Sequence, residues 1–543
     1  MSKTFINEST YKNYLENGKE QEFDQLFDDA VKKAKASFSS DRGSYPIYIA
    51  DKEIYAKELL QEKSPIDSTI LGSFQKGTRE IAQQAISEAL IAFKSWSTTD
   101  YRERAAIFMK AADLLSQRKF EIAAILSFEN GKSRYESIGE VDEGIDFMKY
   151  YANELITNKG YLRKTQVMQS SKGVESGFQG APSGSEKITI ALKPYGVFGV
   201  IAPFNFPISI SIGMSTAALI TGNTVVFKPS STDNMTMLTG LKIYQLFRDA
   251  GLPSGVFNYV TGPGSTVGDE LAANDDVSGI AFTGSRETGM AMVSRCLNAG
   301  KQKVFIVEMG GKNPAIISET ADIDQAVSGV ASAAFGFAGQ KCSALSRVYV
   351  HESIKEQFVG KLISKVREFK IGNPLDKDVY IGPLISESAF KRYVETIAKA
   401  RTSGRILYGG NTLKTGLAGS YVEPAIIEAR HDNELVHKEL FLPILTIESF
   451  TNLDEAIAFA NDTEYGLTAG FYGKRRNEIK KFTEKILAGV VYINRGISAT
   501  TGAIVGVHTF VGWKGSALTG KGTGSKFYLQ QFMREQSVSI TGK

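Results

Sequence analysis

An α/β fold with a parallel sheet is what this sequence predicts, and three observations predict it. From residue 194 to 308, short apolar runs alternate with amphipathic segments, which is the pattern of βαβ units. Two of those runs end in glycine-bearing turns, Thr261-Gly262-Pro263-Gly264 and Phe282-Thr283-Gly284-Ser285. A second α/β segment begins at Gly310, and a chain of 543 residues has room for it, since roughly 150 residues per domain allows two to four units.

Taken in order, residues 20–38, 79–96, 102–128 and 135–157 read as amphipathic helices. The aromatic stripe Phe147, Tyr150 and Tyr151 on the last of them reads as core. Residues 166–185, rich in Ser and Gly, read as a flexible loop, and 187–192 as an edge or arm strand. Sheet strands follow at 197–202, 224–228, 256–260, 277–283 and 304–308, with helices at about 208–220, 234–250, 266–273 and 286–298 between them. The second segment predicts a helix at 324–337, a strand at 347–351, a helix at 353–369, and strands near 443–450, 469–472 and 489–494. The tail carries Phe527, Tyr528, Leu529 and Phe532. Exposed on a monomer they would form an apolar patch, so the tail is expected to dock on another subunit.

Composition bounds the class. Hydrophobic residues make up 42% and charged residues 22%, with 63 basic against 59 acidic for a net charge of +4. No block of like charge stands out, which argues against nucleic acid or an anionic membrane as main partner. No run approaches the ~20 apolar residues of a membrane span, and the first residues form no apolar signal region. The two cysteines, Cys296 and Cys342, build no disulfide framework. A cytoplasmic protein is therefore expected. The four histidines show no metal-binding spacing, and no metal is expected.

The residues that could carry chemistry sit at strand ends and in one loop. Cys342 lies in Phe335-Gly336-Phe337-Ala338-Gly339-Gln340-Lys341-Cys342-Ser343-Ala344. As a thiolate it could attack a carbonyl, with Lys341 and local amides lowering its pKa; a small buried thiol is the alternative. Glu308 closes an apolar run before Gly310-Gly311, where it could act as a base or simply accept from nearby amides. Asn205, in Pro203-Phe204-Asn205-Phe206-Pro207, could donate to an oxyanion or cap the helix that follows. Lys228 ends its strand at the edge where ligands bind in open α/β sheets. Glycine at 264 and 284 would let backbone approach a phosphate at a helix start, or mark only an ordinary strand-to-helix turn, since neither stretch is a full G-x-G-x-x-G.

These motifs, with Phe227-Lys228-Pro229-Ser230, Glu308-Met309-Gly310-Gly311-Lys312-Asn313-Pro314, Gly339-Gln340-Lys341-Cys342 and Glu439-Leu440-Phe441-Leu442-Pro443, resemble the aldehyde dehydrogenase superfamily over residues 65–520. The resemblance implies a parallel-sheet NAD(P)-binding domain, a second α/β catalytic domain and a small oligomerisation arm. The implied layout is 1–165 N-terminal helices and first part of the NAD(P)-binding domain, 166–193 loop and arm, 194–308 NAD(P)-binding domain, 309–507 catalytic domain and 508–543 substrate loop and tail. It implies that Cys342 forms a thiohemiacetal and then a thioester, that Asn205 and the Cys342 amide hold the oxyanion, and that Glu308 activates water. Lys228 and Glu439 would bind cofactor ribose hydroxyls, Phe441 would pack near the nicotinamide ribose, and Ser285 would meet the pyrophosphate. The family usually has glycine where Leu442 stands. Ser231 occupies a position often held by glutamate in NAD-selective members; NAD is expected, with NADP tolerated.

Within that superfamily the chain is similar to the glutamate-semialdehyde branch. The similarity lies in Gly339 to Ala344 with Ser346-Arg347, in Asn494 to Gly506, in Glu143 to Phe147 and in the extended N-terminus. The expected substrate is L-glutamate γ-semialdehyde. Ser343 can donate to its carboxylate, and the Gly502 and Ala503 amides could form an anion nest or only a tight turn. Glu143 would lie near the ammonium, or on a solvated helix face, and Phe206 and Phe510 would line the pocket. The branch commonly shows Pro-Phe-Gly-Gly where this chain has Thr509-Phe510-Val511-Gly512. The alternative substrate is another short carboxylated semialdehyde such as succinate semialdehyde. A CoA-acylating reaction is disfavoured by Glu308, and a non-catalytic scaffold by Cys342 and Glu308 together. A homo-oligomer is expected, and the length leaves no room for a fused proline-oxidising domain.

Overall fold

The computed structural model describes residues 5–38, 43–169, 185–231, 233, 235–496 and 504–541. Two seven-stranded sheets organise it. In the first, the parallel strands run Val304–Glu308, Val277–Thr283, Val197–Ile201, Thr224–Lys228 and Phe257–Tyr259, and the antiparallel hairpin Ile47–Ile49 and Lys52–Ile54 closes one edge. Chain order reverses between Val197–Ile201 and Val277–Thr283. In an open α/β sheet the ligand crevice lies at that reversal, outside the strands' carboxyl ends.

Strand Val197–Ile201 is apolar throughout because both its faces are covered. Phe198 and Val200 point into one helical layer and Val197 and Ile201 into the other. The second sheet orders Arg405–Tyr408, Ala425–Glu428, Ile444–Phe450, Leu345–His351, Asn313–Ile317, Thr468–Tyr472 and Val490–Ile493. Only its first pair is antiparallel.

Several sequence expectations need correction. The helix expected at 102–128 breaks at Arg118 into Tyr101–Gln117 and Lys119–Asn130. The helix expected at 266–273 starts as a wide turn, Gly264–Gly268, before Asp269–Ala273. The segment expected to be a loop from 166 is a strand to residue 169, Leu162–Gln169. It pairs with Ser185–Pro194, which pairs in turn with Met533–Thr541, making a three-stranded antiparallel sheet.

The tail folds back on its own chain. Tyr528, Leu529 and Phe532 are buried in the first core, and Asn223 donates to the Phe532 carbonyl at 2.9 Å. Only Phe527 of the four is exposed.

Candidate active site

The Cys342 loop is shaped by backbone that L-residues rarely adopt. Helix Ile323–Phe335 ends, and Phe337, Ala338 and Gly339 then take φ of +51°, +51° and +67°. A Cβ on Gly339 would lie 2.4 Å from the Leu442 carbonyl, so only glycine fits. Leu442 itself is buried; the left-handed residue of that loop is Phe441, at φ +57°. Past the turn, Asn313 pins Cys342. Its amide donates to the Cys342 and Ala344 carbonyls at 2.8 and 2.9 Å, while its oxygen accepts from the Thr468 amide at 3.0 Å. Asn313 is a site residue that sequence reasoning left unassigned, though it lies inside the Glu308–Pro314 motif.

Asn205 follows strand Val197–Ile201 and is buried. Its amide donates to the Gln340 carbonyl at 3.1 Å, so the first sheet's loop touches the Cys342 loop. Glu308 closes strand Val304–Glu308, and its Oε2 is buried with no hydrogen-bond partner. Desolvation holds its carboxyl well above the usual range. Burial, with the negative charges of Glu439 and Glu308, pushes the Cys342 thiol up to about 12, against the pull of the Ser343 and Cys342 amides. The expectation that Lys341 activates the thiol is wrong: its ammonium pairs with Glu136. In the free protein the site therefore stores a protonated thiol beside an unpartnered carboxyl oxygen.

A cleft of about 680 Å³ opens at the sheet reversal. Its walls bring together Asn205, Lys228, Ser231, Gly264, Gly284, Ser285, Cys342, Glu439 and Phe441. Among the described residues the Lys228 ammonium donates to the Pro229 carbonyl at 3.3 Å, and burial lowers its pKa to about 8. The Ser231 hydroxyl donates to the Pro229 carbonyl at 2.9 Å. No atom lies within 4 Å of a Cβ built on Gly264, so backbone there is open to a ligand. Ser285 caps helix Arg286–Asn298, its hydroxyl accepting from the Thr288 amide at 3.2 Å. Glu439 accepts from the Gly311 amide at 2.8 Å, and burial raises its pKa to about 7. A buried cation, bare glycine backbone and a helix start along one cleft fit a dinucleotide.

Among the described residues, the cleft wall does not include Ser343, Phe206, Glu143 or Phe510, which were assigned to the aldehyde's far end. Ser343 is buried next to Cys342. Phe206 lies against Lys132, whose ammonium is 3.5 Å from the ring centroid. Glu143, on helix Arg134–Thr157, faces Ser209, and desolvation raises its pKa. The Phe510 amide donates to the Thr523 carbonyl at 3.2 Å. This tail loop meets the helix of Glu143, because the Gly524 amide donates to the Tyr151 hydroxyl at 3.0 Å. Gly502 and Ala503 lie outside the described residues. Away from the cleft, His431, His437 and Asp462 come together, with His431 Nε2 2.9 Å from Asp462 and His437 Nε2 2.7 Å from the His431 carbonyl. No helix among the described residues is long and apolar enough to cross a membrane.

A dinucleotide cleft at a parallel-sheet reversal, with a cysteine on its wall and a buried glutamate nearby, defines a class of oxidoreductase. Residues 53–538 match the family model described as Aldehyde dehydrogenase family, and the chain belongs to that family. It is 36% identical over 523 residues to 1-pyrroline-5-carboxylate dehydrogenase 2 of Bacillus subtilis (strain 168), covering 95% of this chain and 97% of that protein. Its fold matches the crystal structure of 1-pyrroline-5-carboxylate dehydrogenase from Thermus with bound NAD at a TM-score of 0.88 and 30% identity, over 100% of both chains. It also matches proline utilization A from Bdellovibrio bacteriovorus at 0.87 and 33% identity, spanning 99% of this chain and 53% of that one.

Proposed function

We propose that this protein oxidises L-glutamate γ-semialdehyde, the open form of Δ1-pyrroline-5-carboxylate, to L-glutamate with NAD, and that it tolerates NADP. The observation that carries the reading is a likeness over nearly the whole chain to proteins named 1-pyrroline-5-carboxylate dehydrogenase, in a chain whose Cys342 and Asn205 share one cleft wall. The region of the first sheet would bind the cofactor and that of the second would carry Cys342.

In this reading Glu308 takes the thiol proton and Cys342 adds to the aldehyde carbon. The free hydrogen of the Asn205 amide and the Cys342 N–H hold the resulting oxyanion. A bound nicotinamide would supply the hydride acceptor that conversion of the thiohemiacetal into a thioester needs. Glu308 passes the thiol proton to solvent and then takes one from water, whose oxygen attacks the thioester; the C–S bond breaks, the acid is freed and Cys342 leaves as the thiolate. Lys228 and Glu439 would orient the cofactor's riboses, Ser285 and Gly264 its pyrophosphate, with Phe441 beside the nicotinamide ribose. Ser343, Glu143, Phe206 and Phe510, with Gly502 and Ala503, would receive the amino-acid end.

We also read the protein as a cytoplasmic homo-oligomer. The three-stranded antiparallel sheet exposes Leu162, Val538 and Ile540, a surface suited to cover by a second copy. The substrate assignment is tested by steady-state kinetics with pyrroline-5-carboxylate and succinate semialdehyde under NAD. Pyrroline-5-carboxylate is expected to be preferred; an advantage of about tenfold in kcat/KM for succinate semialdehyde would overturn the assignment.

A further inference from the structure

One turn touches both of the loops that carry the proposed chemistry. Helix Lys119–Asn130 ends at Gly131, in the left-handed conformation at φ +79°, and delivers Lys132 into the interior. The Lys132 amide donates to Asn130 Oδ1 at 3.1 Å. The Lys132 ammonium sits 3.5 Å from the Phe206 ring centroid and 5.0 Å from that of Phe337. Phe206 is the neighbour of Asn205, and Phe337 opens the left-handed run that leads to Cys342.

Lys132 is also ion-paired to Glu140, and both side chains are 0% exposed. The other oxygen of Glu140 accepts from the Ile208 and Ser209 amides at 2.8 and 3.3 Å, where helix Ser209–Ile220 begins. The Asn205 loop is thus held after its last residue by Glu140 and at its ring by Lys132. A buried ion pair is weak evidence for stability, because desolvation consumes most of its attraction. A cation between two aromatic faces does fix a distance.

We propose that Lys132 is a positioning residue, locked by Glu140, that sets the separation between the Asn205 amide and the Cys342 thiol. The proposal rests on the reading of Asn205 and Cys342 given above. The paired change Lys132→Met with Glu140→Gln removes both charges, keeps the volumes, and leaves a side-chain carbonyl oxygen to accept from the Ile208 and Ser209 amides.

It is expected to lower kcat by about tenfold or more while leaving KM for NAD within about twofold, since small misplacements of reacting groups are costly. Set on an Asn205→Ala background, the same pair is expected to cost less than about twofold further, because its effect runs through Asn205. A paired variant within about twofold of the parent kcat overturns the proposal, as does an undiminished loss on the Asn205→Ala background. If Asn205→Ala alone keeps full kcat, the oxyanion reading fails instead, and the proposal with it.

Should the paired variant not fold, Phe337→Leu decides. It keeps the ion pair and removes one ring, and is expected to change the iodoacetamide alkylation rate of Cys342 by about threefold or more. An unchanged rate overturns the proposal.

Discussion

Asn205 donates its side-chain amide to the Gln340 carbonyl at 3.1 Å, two residues before Cys342. The contact uses one of the two amide hydrogens of a residue that lines the cleft. Asn205→Ala is expected to lower kcat by about 10²-fold, the usual cost of losing one oxyanion donor, with KM for NAD nearly unchanged. Steady-state kinetics check this, and a kcat within about threefold of the parent would count against the oxyanion role.

The thiol of Cys342 is held at about 12 by desolvation and two nearby carboxylates. A raised thiol pKa means the reactive thiolate fraction keeps growing with pH until that value is reached. Alkylation of Cys342 by iodoacetamide in cofactor-free protein, followed by peptide mass, is expected to accelerate through about pH 10 without levelling. A plateau near pH 8 would show that the free thiol is already activated. Cys296 is buried and serves as the internal comparison.

Glu308 has a buried, unpartnered oxygen and a carboxyl held well above its ordinary range. Such a base works once its proton is lost, so turnover should rise with pH through that raised value. Glu308→Gln is expected to lower kcat by about 10²-fold or more with no burst of reduced cofactor, since the thiol and the water both lose their base. Steady turnover at near the parent rate would remove Glu308 from the proposed chemistry.

Ser231 lies on the cleft wall, and in the proposed reading an acid there would repel a 2′-phosphate. Ser231→Glu is expected to lower kcat/KM with NADP by about tenfold and to leave NAD within about threefold. In the parent, an NADP kcat/KM below about one-thousandth of the NAD value would contradict the expected tolerance.

Most of the first sheet was legible because its parallel strands are short, mainly apolar runs set between amphipathic segments. Val304–Glu308 and Thr224–Lys228 come out at the predicted residues. Strand Asn313–Ile317 was not expected. Pro314 argues against a central strand, and the structure accommodates it with a register shift between Asn313 and Pro314. The tail misled for a different reason. Its aromatics read as exposed because their cover, Tyr151 and Phe198, lies hundreds of residues earlier, where Tyr528 and Phe532 meet them at 5.8 and 5.1 Å between ring centroids. Lys341 misled because adjacency in sequence does not fix where a long side chain goes. Arg347, part of the motif that suggested the substrate branch, is buried and donates to the Lys312 and Ala460 carbonyls; its role is to tie strands and helices behind the loop.

The central claim is that Cys342 carries the oxidation of glutamate γ-semialdehyde. The most direct test quantifies L-glutamate formed from pyrroline-5-carboxylate and NAD, by the parent protein and by Cys342→Ala. The account predicts one glutamate per reduced cofactor from the parent and none above background from the variant. Glutamate formed at the parent rate by Cys342→Ala, or cofactor reduced without glutamate by the parent, would contradict it.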